Sequence, residues 1–277
     1  MPLKFSVVIP SYNQAAWLEP CIKSVLGQEG VDLEVIVMDG GSTDGSREII
    51  ERYAPRLAYW QSQKDGGQAA AIRAGLERAT GDIFAWLNSD DVYMPGALAK
   101  VAAFFEAHPD EEVVTGGAFY IDGAGDYYRW RLFNQNHTLG VAAPHERFLY
   151  YKPQQGVWQA ATFWRKGAYE AVGGVDPQFH YIMDFDLLTR LSARRPLARL
   201  PEMLACFRIH ADNKTHAWMD VFHREMKVWK AKHGLDKEPA VKRWLWYARF
   251  LGPAVLRKIR ALWLERSGRL DLRAPKW

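Results

Sequence analysis

The stretch Phe84-Ala85-Trp86-Leu87-Asn88-Ser89-Asp90-Asp91 runs from an apolar strand straight into two adjacent carboxylates. Like charges side by side in a cleft are costly unless a cation neutralises them or one of them keeps a proton. Such an ending places chemistry at the carboxyl end of a buried strand, and the segments before it repeat the plan. Phe5 to Ile9 is a β-branched apolar run closed by Pro10, and Leu33 to Met38 is a second, ending at Asp39-Gly40-Gly41-Ser42. Leu57 to Gln61 reads as a third strand and Ile83 to Leu87 as the fourth.

Between them lie helical patterns. Trp17, Leu18, Cys21, Ile22, Val25 and Leu26 fall on one face, as do Ile49, Ile50 and Tyr53 in a helix from about Asp44, with Ser42 or Asp44 as its cap. Gln68 to Ala79 is the third helix. This alternation predicts a mostly parallel sheet flanked by helices, and ligands bind such sheets beyond the carboxyl ends of the strands. Pro10 to Asn13, Asp39 to Asp44, Lys64 to Gly67 and Asn88 to Asp91 are therefore expected to converge on one site. After Pro95 opens another helix the alternation stops. Val113 to Arg131 reads as a hairpin around Asp122-Gly123-Ala124-Gly125, and Gly156 to Trp164 as a strand, so a mixed second half is expected on the same sheet.

The chain has 277 residues, 48% of them hydrophobic, which suffices for one large α/β domain with an appendage. Two cysteines make no disulfide framework, and the amino-terminal apolar run is too short for a signal peptide, so a cytoplasmic setting is expected. No stretch reaches the eighteen or so apolar residues of a membrane span. The net charge of +4 is unevenly placed: residues from 236 onward carry 11 Lys and Arg against 4 acids, leaving the preceding part mildly acidic.

At the strand ends the chemistry is legible. A hard divalent ion needs only one or two protein oxygens when a phosphate supplies others, which suits Asp90; Asp91 is equally read as a cap of the next helix. Asp39-Gly40-Gly41 and Asp65-Gly66-Gly67 each set a carboxylate beside glycines that admit close approach of a ligand, although plain turns explain either alone. Neither has the GxGxxG spacing of a dinucleotide site.

SVVIPSYNQ, VMDGGSTDGS, KDGGQAAAIRAGLERATGDIFAWLNSDD, MDFDLLTRL and FRIH, in that order from Ser6 to His210, resemble the motifs of family 2 glycosyltransferases, inverting enzymes of the GT-A fold. The resemblance implies a nucleoside diphosphate sugar donor, a UDP- or dTDP-sugar, and a divalent metal, Mg²⁺ or Mn²⁺. By position it implies that Pro10, Ser11 and Tyr12 line the base and ribose pocket, joined by Asp39, Asp65 and Gly67. Asn88-Ser89-Asp90 falls on the family's Asp-x-Asp, with Asp90 binding the metal and neutral Asn88 in place of the first acid. Arg73 stands where relatives often carry Asn, facing the diphosphate or lying solvated on the surface. Asp184, at the start of a helix whose apolar face is Leu187, Leu188 and Leu191, is implied as general base ahead of Asp186, and Met183 replaces the family's preceding acid. His210 is implied as a contact of metal or diphosphate. Trp158 and Gln159 are implied on an acceptor-side strand, the acceptor being a saccharide or lipid-linked saccharide in cell-surface polysaccharide synthesis.

These features divide the chain into a catalytic domain over 1–235, with a nucleotide-sugar half (1–95) and an acceptor-side half (96–235), and a basic, aromatic helical tail over 236–277. Val255, Leu256, Ile259, Leu262 and Trp263 share one face of that tail, which suits an anionic membrane surface and peripheral attachment at the inner face of the cytoplasmic membrane. Packing on the catalytic domain or on a second subunit is the alternative, and an oligomer is left open. No nucleic-acid motif accompanies the charge. Two rival functions stand beside the transferase: a nucleotidyltransferase acting on a sugar phosphate, and a degenerate non-catalytic sugar-nucleotide-binding protein.

Overall fold

The computed structural model describes residues 3–127, 157–211 and 219–239, together with 145, 149, 241, 242 and 245. The first half alternates as expected: β1 (Lys4–Ser11), α1 (Ala15–Leu26), β2 (Asp32–Asp39), α2 (Ser46–Tyr53), β3 (Tyr59–Ser62), α3 (Gln68–Arg78) and β4 (Ile83–Trp86). Ladders β1–β2, β2–β3 and β1–β4 are all parallel. There follow β5 (Val92–Tyr93), α4 (Ala97–Ala107), β6 (Val113–Ile121), β7 (Thr162–Arg165), α5 (Lys166–Ala171), α6 (Met183–Arg194), β8 (Ala198–Arg208) and α7 (Met219–Lys232). One mixed sheet of eight strands results, in the order β3-β2-β1-β4-β7-β6-β8-β5.

Both faces of the sheet are covered, so β1 is buried along nearly its whole length. Its side chains alternate between two cores. Phe5, Val7 and Ile9 pack with Leu18, Ile22 and Phe105, whereas Val8 packs with Ile72, Leu76 and Leu187 on the other face. Strand β1 continues through Pro10, opposite Met38. Val8 accepts the amide of Leu87 toward β4, and Pro10, two residues on, faces the same side, where β4 has already ended at Trp86, so no ladder donor is missed.

Helix α3 lies unusually close to the sheet at Gly75. A methyl group there would meet Val8 at 2.7 Å and Met38 at 3.1 Å. Gly75→Ala is expected to destabilise the fold by about 1–3 kcal/mol despite alanine's better helix propensity, because overpacking outweighs it. Urea unfolding would show a lowered midpoint, and an unchanged or raised midpoint would mean that the helix can move away.

Two local expectations are corrected, and a third, the hairpin, is met as far as the described residues reach. Asp122 does organise a turn, accepting the amides of Ala124 and Asp126, but among the described residues the return strand reaches only one bridge, Ile121 to Tyr127. Strand β6 pairs antiparallel with β7 over Val113–Thr115 and parallel with β8 as far as Ile121. Residues 128–131 lie outside the described ones. The strand expected from Gly156 starts only at Thr162, after a 3₁₀ turn over Gln159–Ala161. Side chains hold that turn: Gln159 Nε2 donates to the Trp86 carbonyl at 2.7 Å and Thr162 Oγ1 to the Trp158 carbonyl at 2.6 Å. Asp91 caps no helix, since α4 begins behind Gly96 at Ala97. The tail beyond Leu245 lies outside the described residues, and the amphipathic face expected there with it. Among the described residues no helix is long and apolar enough to cross a membrane.

Candidate active site

The carboxyl ends of β1 to β4 open into a cavity of about 1010 Å³. Of the residues singled out in the sequence, Pro10, Ser11, Tyr12, Asp65, Gly67, Asn88, Ser89, Asp90, Trp158, Gln159 and Asp184 line it. Asp39 and Arg73 do not line it, and His210 stands behind the lining with its Nε2 on the Asp90 carboxylate.

Asp39 works beneath the wall. Fully buried, it accepts the amides of Gly41 and Ser42 at 3.2 and 2.9 Å, and the hydroxyls of Ser42 and Ser62. Those bonds use its acceptor sites to shape the loop after β2. Asn13, in the left-handed region at φ 51°, ties the loop after β1 to the same turn: its amide donates to Ser42 Oγ and its Oδ1 accepts from the amide of Thr43. Above this frame a narrow slot opens. A methyl group on Gly40 would lie 3.3 Å from the Tyr12 ring and 3.4 Å from both Asp65 oxygens, so the glycine keeps ring and carboxylate adjacent across bare backbone. Tyr12 itself is 62% exposed, its ring open to stack against a planar group.

Gly67, at φ +94°, immediately precedes α3, and its amide donates to Asp65 Oδ1 at 2.7 Å. Gln68, the first residue of α3, donates from Nε2 to Asn88 Oδ1 at 2.8 Å and thereby orients the neutral residue that stands before Ser89-Asp90.

Asp90 meets His210 Nε2 at 3.1 Å from Oδ2, and the His210 ring lies 3.8 Å from that of Trp17. Arg208 binds this corner together. It is buried, its amide donates to Asp91 Oδ1, its Nε donates to the Asp90 carbonyl, and its Nη1 donates to the carbonyls of Asp122 and Gly123. Burial, and after it the charge of Asp90, pushes the Asp91 carboxyl well above the usual carboxylate range. The adjacent acids thus divide their roles: Asp91 is held inside, where burial disfavours its charge, and Asp90 is turned to the cavity.

On the opposite wall, Asp184 occupies the first turn of α6, with Oδ1 accepting the amide of Phe185 at 2.7 Å. Burial raises its carboxyl to about 6, against that hydrogen bond. Asp186 is spent elsewhere. It is fully buried, 2.7 Å from Arg190 and 3.0 Å from Lys232. Burial works against its charge, yet His233, Arg190 and Lys232 hold it below its ordinary value. Arg73 is likewise committed, to Glu77 at 2.9 Å and to the carbonyls of Gly173 and Val175, and turns away from the other site residues.

Several residues of the site carry no local sequence signal. Gln68 and His180 line the cavity, and Tyr120 and Phe207 join Trp158 in an aromatic group, with ring centroids 5.1 to 6.0 Å apart, that walls one end of it. Among the described residues no cluster of three or more metal-binding side chains occurs.

Sheet, crossovers and strand-end cavity are those of a GT-A type glycosyltransferase. The family model described as glycosyl transferase family 2 matches residues 6–173, and the chain belongs to that family. It is 30% identical over 190 residues to a PGL/p-HBAD biosynthesis glycosyltransferase of Mycobacterium bovis, covering 67% of this chain and 68% of that protein. An uncharacterized glycosyltransferase of Nostoc sp. is 30% identical over 219 residues, 76% of this chain and 66% of the relative. Among solved structures, Staphylococcus aureus TarS 1-349 in complex with UDP superposes with a TM-score of 0.61 at 18% identity; 75% of this chain is covered, but only 61% of that one. Mannosyltransferase PcManGT from Pyrobaculum calidifontis, in complex with GDP-Man and Mn²⁺, gives 0.65 at 19% identity over 98% of this chain and 77% of that one.

Proposed function

We propose that this glycosyltransferase is inverting and metal-assisted, moving a sugar from a nucleoside diphosphate sugar to an acceptor hydroxyl on a glycan or lipid-linked saccharide. The observation that carries it is the pairing across one cavity of a donor wall, Tyr12, Asp65, Asn88 and Asp90, with a single half-buried carboxylate, Asp184, on the other side. The structural relatives bound to UDP, UDP-GlcNAc and GDP-Man support a nucleotide-sugar donor.

Tyr12 offers its ring to the base, with Asp65 beside it as acceptor for base or ribose hydroxyls. The donor set at Asp90 and His210, one carboxylate oxygen and one imidazole nitrogen 3.1 Å apart, fits a divalent ion whose other positions are filled by phosphate oxygens and water. Bound there, such an ion would offset the charge on the departing diphosphate. Inversion requires one displacement: the acceptor oxygen bonds to the anomeric carbon as the carbon–oxygen bond to phosphate breaks, and the electron pair leaves with the diphosphate. Asp184 takes the acceptor's proton. A carboxyl near 6 is ionised at neutral pH and more basic than an ordinary aspartate, which suits that task. The aromatic wall of Tyr120, Trp158 and Phe207 suits a sugar ring or the apolar part of a lipid-linked acceptor.

A panel of UDP-, dTDP- and GDP-sugars, assayed for nucleoside diphosphate release with Mg²⁺ or Mn²⁺, tests the reading. One donor class should be consumed and a chelator should stop the reaction. Release of pyrophosphate from a nucleoside triphosphate and a sugar phosphate would instead identify a nucleotidyltransferase.

A further inference from the structure

The segment matched by the family ends at residue 173, ahead of both α6 and α7. Within that later part, a buried carboxylate on α7 does something the transfer reaction itself does not explain. Glu225 Oε1 accepts the amide of His180 at 2.7 Å, and Oε2 accepts those of Tyr181 and Ile182 at 2.9 and 3.0 Å. These three consecutive amides form the turn that leads directly into α6 and Asp184. Two further contacts come from the same face of α7, one turn apart: Trp229 lies 4.8 Å from Phe185, and Lys232 reaches Asp186 at 3.0 Å. The first turn of α6 and the turn before it are therefore held from below at three points, one of them ionic.

We propose that Glu225 is a positioning residue for the transfer: from outside the cavity its carboxylate fixes the turn that presents Asp184 and sets the balance of charge around it. The proposal rests on Asp184 being the base. Three amide dipoles aimed at one carboxylate are neutralised by it; without its charge they would favour a nearby anion instead. Of the charged and titratable groups around Asp184, Lys64, Asp65, Asp90 and Asp91 stand across the cavity, His180 and Tyr181 on the same turn, Asp186 with its partners Arg190, Lys232 and His233 two residues along α6, and Glu225 beneath the turn. Of these, only Glu225 is bonded to the backbone that carries Asp184.

Glu225→Gln and Glu225→Asp in the full chain separate charge from placement. The amide cannot accept three amides without setting donor against donor. Glu225→Gln should lower kcat by roughly 10- to 100-fold, the scale of a displaced catalytic group, with donor KM within about threefold of wild type. It should also move the acid limb of the kcat–pH profile to lower pH, because Asp184 loses a negative neighbour and gains unpaired amides. Glu225→Asp, one methylene shorter but still charged, should lower kcat with that limb in place. Glu225→Gln combined with Asp184→Asn should lose no more than Asp184→Asn alone. UDP affinity with Mn²⁺, read by tryptophan fluorescence, should be kept in each variant and shows that the chain is folded. If Glu225→Gln does not fold, Glu225→Asp decides: wild-type kcat there overturns the proposal. Additive losses in the double variant, an acid limb unmoved by Glu225→Gln, or an effect confined to KM also overturn it. Undiminished turnover in Asp184→Asn would instead remove the base assignment itself, whatever the Glu225 variants do.

Discussion

Asp184→Asn should lower kcat by roughly 10²–10⁴-fold, the range general-base catalysis contributes, while nucleoside diphosphate affinity stays close to wild type. The wild-type profile should fall as pH drops through about 6, where Asp184 takes up its proton, and the residual activity of the variant should lack that limb. The same substitution should stabilise the protein at neutral pH. Burial raises the folded-state value above that of the unfolded chain, so the contribution of Asp184 to stability is fully present below about pH 4 and is lost as pH rises through about 6. With the residue partly open to the cavity, the loss is about 2 kcal/mol. Thermal unfolding should thus show Asp184→Asn melting above wild type at pH 8, with the gap closing at pH 4. Full turnover in the variant would sink the assignment, and equal melting at pH 8 would mean that the carboxyl is not held in a low-dielectric place.

Asp90→Ala should cost roughly 10²–10³-fold in kcat/KM, the scale of removing one preorganised stabiliser of leaving-group charge. Its structural neighbours should tolerate the change, because Arg208 holds this corner through the Asp90 carbonyl and through Asp91. On the proposed reading, neutral Asn88 would leave the ion's affinity dependent on the donor, because one carboxylate and one imidazole would hold Mn²⁺ weakly until phosphate oxygens join them. Titration of Mn²⁺ followed by fluorescence should therefore give much tighter binding with nucleotide sugar present than without. Asn88→Asp should narrow that difference by tightening the donor-free site about tenfold. Equal affinity with and without donor in the wild type would contradict the arrangement.

In the parallel half of the sheet β1, β2 and β4 were legible because they are largely buried on both faces and read as apolar runs, and because acids mark the carboxyl ends of β2, β3 and β4. The turn before β7 was not: Trp158 has the look of a strand residue, and what bends the chain is the bond from Gln159 to a carbonyl 73 positions earlier. Asp91 looks like a cap beside Pro95, and only the fold reveals Arg208 across from it, 117 residues away. Arg73 lies on the right helix, but its direction depends on the carbonyls of Gly173 and Val175, which no local pattern announces. Glu225 reads as an ordinary acid of an amphipathic helix. Its importance comes from three backbone amides, and backbone leaves no trace in side-chain identity.

The short strand β5 follows directly on Asp90-Asp91, yet it pairs with β8 at the far edge of the sheet, Val92 opposite Cys206 and Tyr93 opposite Ala205. The loop after β4 and the far edge of the sheet are joined by this ladder of two residues. A chimera that exchanges acceptor recognition by crossing over near residue 95 would import a foreign β8 against a native β5 and disturb Asp91, whose partner is the amide of Arg208 at the end of β8. Recombination with relatives should succeed more readily where the crossover keeps residues 88–93 and 204–210 from the same parent.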